Sequence, residues 1–82
     1  MNVIDKIEEL IEQSEVILKD KNSTHTQLYK AKTKLKRAVH VINGYKEAYP
    51  NTKTIEKTEY KLNDVIERIS ERILIVLNEI EK

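Results

Sequence analysis

Leu28, Ala31, Leu35, Ala38, Ile42, Tyr45 and Tyr49 follow one another in alternating steps of three and four, an apolar seam with no polar interruption. On an α-helix that spacing gathers the side chains into one stripe, whereas a strand would scatter them over both faces. A helix of this length, roughly 37 Å at 1.5 Å per residue, cannot leave such a stripe in water. The rest of the chain must cover it.

Two further segments offer matching seams. Val3, Ile4, Ile7, Leu10, Ile11, Ile17 and Leu18 make a stripe with Ser14 as its one polar member, and Lys19 to Ser23 breaks the pattern. Thr24 to Gln27 reads Thr-x-x-Gln, the reciprocal capping signature that opens a helix. The second seam runs through Gly44 and stops at Pro50; Pro50, Asn51 and Thr52 form the next turn. Ile55, Leu62, Ile66, Ile69, Ile73, Val76 and Ile80 continue the spacing in a third helix, with Glu59 also falling at a seam position. The run Ile73 to Val76, for all its β-branched content, has no second strand to pair with, and one Gly and one Pro supply too few turns for a sheet. The expected fold is all-α, an antiparallel three-helix up-down-up bundle with coiled-coil-like packing, residues 1–82 forming one domain. Its helices cover about 3–20, 25–49 and 53–81.

Helices of roughly 27, 37 and 42 Å do not match in extent. Because the first turn ties the first two helices together, the shortfall of the first is expected at the opposite end. There the hairpin around Gly44, Tyr45, Tyr49, Ile55, Glu59 and Leu62 would present apolar side chains uncovered. At the other end Ile73 to Leu77 form a row of five apolar residues, more than one helix face can bury. Leu74 and Ile75 project away from the core on opposite sides, Leu77 lies on a flank, and Val16 and Tyr29 also point outward there. Tyr60 projects away from the core near the other end, and exposed tyrosine is of the type enriched in interface anchors.

Charge is segregated along the chain. Residues 1–20 carry six acids and two bases, 21–46 seven bases and no acid, and 47–82 eight acids and six bases, for a net +1. Lys30, Lys32, Lys34, Lys36 and Arg37 invite a phosphate-binding reading, but they spread around the helix instead of forming one stripe. Asp5, Glu8, Glu9, Glu12 and Glu15 on the antiparallel neighbour offer a simpler use: Glu15 near Lys30 to Lys34 and Glu8 near Lys36 and Arg37 would neutralise them, each exposed pair contributing about 0.2 to 1 kcal/mol. For Glu59 the expected donors are Lys46 or the hydroxyls of Tyr45 and Tyr49.

Chemistry is poorly provided for. With no cysteine there is neither disulfide nor thiolate, and His25 and His40 stand about 22 Å apart by rise, too far to share a metal. No Glu-x-x-His pair, glycine-rich phosphate loop or plausible triad occurs. Neither catalytic residues nor a metal, cofactor or small-molecule substrate is expected, and the protein is read as no enzyme. The first residues lack a secretory signal pattern and no apolar run approaches the roughly 20 residues of a membrane span, so the expectation is a cytoplasmic protein without a membrane partner.

These features suggest a small regulator, inhibitor or adaptor that binds another protein or a second copy of itself as a homodimer. The candidate interface residues are Val16, Tyr29, Leu74, Ile75, Leu77, Tyr45, Tyr49, Ile55 and Tyr60. One alternative is a nucleic-acid-binding domain using Lys30, Lys32, Lys34, Lys36 and Arg37. Another is an immunity or antitoxin-like protein that neutralises a toxin or peptide encoded beside it. The lysine- and isoleucine-rich vocabulary is that of an AT-rich bacterial or phage gene.

Overall fold

The computed structural model describes residues 3–50 and 52–81, the side chains of Ile80 and Glu81 excepted. Asn51 of the second turn and the side chain of Ile80, the last expected seam residue, therefore lie outside the described residues. Three helices follow one another, α1 (Val3–Lys19), α2 (His25–Ala48) and α3 (Lys53–Glu81), and each packs against both others. The fold is an all-α three-helix bundle, and the described residues contain no strand.

Local chemistry sets the breaks. At the end of α1 the Ser23 hydroxyl donates to the Ile17 carbonyl at 2.6 Å, and the Asn22 backbone N–H donates to the Asp20 carboxylate at 2.9 Å, turning the chain back. The Gln27 N–H then donates to Thr24 Oγ1 at 3.2 Å while the Thr24 N–H donates to Gln27 Oε1 at 2.8 Å, completing the capping box that starts α2. At the far turn the Thr52 hydroxyl donates to the Tyr49 carbonyl at 3.1 Å.

The bundle measures 48 × 20 × 16 Å, so its core is one layer of side chains deep. Ile4, Ile7 and Ile11 of α1, Leu28, Ala31, Leu35, Ala38 and Ile42 of α2, and Ile55, Leu62, Val65, Ile69 and Ile73 of α3 fill it, and Ser14 is buried in the α1 seam. Two seam positions of α3 differ from the spacing argument. Thr58 and Val65 are buried, whereas Glu59 and Ile66 sit half-buried on the flank. Thr58 donates its hydroxyl proton to Glu8 Oε1 at 2.8 Å, and Glu59 reaches Lys46 Nζ at 3.0 Å, one of the donors expected for it. Rolling α3 this far satisfies both groups; a carboxylate facing the core would have been desolvated without a partner.

The uncovered end is also corrected. Ile55 and Leu62 are buried, and Ile4 and Asp5 share a groove with Tyr45, Tyr49, Thr52 and Ile55. The short α1 suffices because its own first turns reach this end, where Ile4 and Ile7 are buried and the half-buried Tyr45 packs against the core beside them. At the other end α3 outlasts α1. Arg72 donates to the Lys21 carbonyl at 3.3 Å, so the last turns of α3 are accompanied on that side by the α1–α2 loop instead of a helix.

α2 passes through Gly44 without a break, and a Cβ built there meets nothing within 4 Å. Glycine in an exposed helical position forfeits about 0.5 to 1 kcal/mol relative to alanine through backbone entropy. Gly44→Ala should therefore raise the thermal midpoint by about 2 to 8 °C, measured by circular dichroism at fixed protein concentration.

Candidate interaction surfaces

Ion pairs fix which flank of each helix meets which neighbour. Glu8 pairs with Lys61 at 3.4 Å and Glu15 with Arg68 at 3.7 Å, while Arg68 also holds Asp64 one turn below at 3.1 Å. Glu8 and Glu15 thus serve α3 and not α2. Glu8 and Glu15 are two turns apart on one flank, and that flank faces α3, which overturns the expected neutralisation of α2 by α1. Among the described residues Lys30, Lys32, Lys34, Lys36 and Arg37 take part in no ion pair or side-chain hydrogen bond.

The outer face of α2 is correspondingly basic. Tyr29, Lys30, Thr33, Lys34 and Arg37 line a shallow groove of about 420 Å³ along it, closed at the loop end by His25 and Thr26. The His25 and Tyr29 rings meet edge to face with centroids 4.5 Å apart, which buries His25 Nε2 without a hydrogen-bond partner. Lys32 is half-buried and Lys36 exposed, away from that groove. Val41 on the same helix is also exposed, an apolar residue that the seam pattern gave no reason to single out.

The apolar surplus of the loop end is present but divided. Val16 is 69% exposed, Leu74 62%, Ile75 54% and Tyr29 46%. At about 100° per residue Leu74 falls near the flank of Glu59, which meets α2, and Ile75 near that of Lys61, which meets α1. Ile75 lines a groove with Lys21, Asn22, Ser23 and Arg72, while Val16 points outward from α1. Leu77 and Tyr45 pack half-buried against the core, and Ile55 is fully inside, so Ile55 is unavailable to a partner. Tyr49 is exposed beside the far turn.

A second charged face was not anticipated. Glu56, Glu59, Tyr60, Asn63, Asp64 and Glu67 line a groove on the outside of α3, with Tyr60, at 76% exposure, standing out from the acids. Its sequence signal is the run of acids recurring near every third or fourth position of α3, hidden by the bases Lys57, Lys61 and Arg68 interspersed beside them. Among the described residues no three of His, Asp and Glu converge to hold a metal ion, and no helix is long and apolar enough to cross a membrane. No protein-family model, curated protein or solved structure matches this chain.

Proposed function

We propose that this chain is a non-enzymatic interaction module that acts by binding protein, as a small regulator, inhibitor or adaptor. The observation that carries this reading is the set of large apolar side chains left exposed where α3 outlasts α1, Leu74 and Ile75 above all. A bundle one side chain deep has one buried stripe per helix, so a row of five apolar residues leaves some for a partner. Nucleic acid is the weaker reading. The unpaired bases of α2 favour it, but a net charge of +1 and the carboxylates on α1 and α3 give phosphate little long-range attraction.

Replacing both residues, Leu74→Lys with Ile75→Lys, tests the reading directly. The native wild type should bind an apolar fluorescent dye such as anilinonaphthalene sulfonate, and the double variant should lose most of that signal while keeping its helical circular dichroism. Equal, negligible dye binding by both folded proteins would remove the apolar end as a docking site.

A further inference from the structure

The two charged faces are written in the same spacing. On α2, Lys30, Lys34 and Arg37 are separated by four and three residues; on α3, Tyr60, Asp64 and Glu67 are separated by four and three. Steps of this kind form a single ridge on a helix surface, and each triplet contributes to an outward groove. No carboxylate of the described residues pairs with the α2 triplet, and Tyr60 and Glu67 make no hydrogen bond or ion pair of their own. One molecule therefore carries both a basic groove on α2 and an acidic ridge on α3, in which Asp64 is also held by Arg68.

From this complementarity we infer that the partner of this module is a second copy of the same chain, with the α3 ridge of one copy lying antiparallel in the α2 groove of the next. In that register Glu67 meets Lys30, Asp64 meets Lys34, and the exposed ring of Tyr60 covers the Arg37 guanidinium beside Thr33. Cation–π contact with an aromatic ring is favourable for arginine, and the ring gives the charged face an apolar anchor that exposed ion pairs alone would lack. Because groove and ridge occupy different surfaces, each copy offers one of each, and association proceeds head to tail unless a ring closes. The inference rests on the reading of the chain as a protein-binding module, but it uses surfaces other than Leu74 and Ile75.

Sedimentation velocity and light scattering on the full chain test it, with two exposed-residue variants. Wild type should show an average mass that rises with concentration. Its apparent association constant should fall about tenfold or more between about 0.1 M and about 1 M salt, as the screening length shrinks from about 10 Å to about 3 Å. Lys30→Glu with Arg37→Glu should be monomeric alone, and so should Tyr60→Lys with Glu67→Lys, while a one-to-one mixture of the two should associate again. That rescue requires the two faces to meet and is not produced by general loss of charge. A wild type that stays monomeric at millimolar concentration and low salt overturns the inference, whether or not it retains a short DNA duplex. Association that ignores both charge variants but disappears in Leu74→Lys with Ile75→Lys overturns it as well, and leaves the apolar-end reading standing.

Discussion

Leu62→Ala should lower the unfolding free energy by about 3 kcal/mol, the middle of the range for deleting a large buried aliphatic side chain. Leu62 has no exposed surface and sits about a third of the way along α3, in the core to which α1 contributes the buried Ile7 and α2 the buried Ile42. Truncation removes apolar contact on the α1 and α2 sides together, and rigid helices close only part of the space left. A domain of this size has an expected total stability of roughly 4 to 12 kcal/mol, so the loss is a large share of it. Leu74→Ala, the same change three turns along the same helix, should move stability by no more than about 0.5 kcal/mol because Leu74 already lies in water. Urea unfolding of both variants at one protein concentration makes the comparison, since any self-association adds a concentration-dependent term. Equal effects at the two positions would mean that α3 does not present the face described above.

The architecture was legible because its signals are local. The seam from Leu28 to Ile42, the Thr24–Gln27 box and the stop at Pro50 each act within one or two turns, and the helices begin and end within a residue or so of where those signals put them. The α2 seam is entirely apolar up to the tyrosines, which leaves no competing face, and all five of its Leu, Ala and Ile members between Leu28 and Ile42 are buried. Gly44 does not end the helix because the seam on either side of it gains more from continuing than the glycine costs.

The candidate surfaces were less legible, since they depend on how whole helices are arranged. Periodicity says which stripe of α1 faces inward, yet it is nearly silent about which of the two flanks meets α2 and which meets α3. That choice is the handedness of the bundle. It decides that Glu8 and Glu15 serve Lys61 and Arg68, and so leaves Lys30, Lys34 and Arg37 unpaired. Likewise the lengths of the helices gave the mismatch but not where it falls: α1 begins far enough along to bury Ile4 and Ile7 at the level of Ile55 and Leu62, so the surplus of α3 emerges at the other end, beside the α1–α2 loop. Exposure of Leu74 and Ile75 was the easier inference, since five apolar residues in a row exceed what one helix face can bury whichever way the helix is turned.

How far α3 is rolled separates two seams that sequence spacing alone barely distinguishes, and a buried charge tells them apart. Ile55, Leu62, Ile69 and Ile73 belong to both, but one adds Glu59 and Ile66 while the other, the one observed, adds Thr58 and Val65. Val65→Asp places a carboxylate where the side chain is 1% exposed, among Leu35, Ile69 and other apolar members of the core. An unpaired buried charge costs several kcal/mol, comparable to the whole stability of so small a domain, and among the described residues no Lys, Arg or His is buried to meet it. Val65→Asp should be largely unfolded at neutral pH, with weak helical circular dichroism and no cooperative thermal transition. Ile66→Asp, half-buried on the flank that carries Glu59, can turn its carboxylate to water and should fold with a loss of only about 1 to 2 kcal/mol. The reverse order, a folded Val65→Asp and an unfolded Ile66→Asp, would mean that α3 is rolled to the other seam, with Glu59 turned inward and the outer ridge of Tyr60, Asp64 and Glu67 displaced from the face on which the proposed self-association depends.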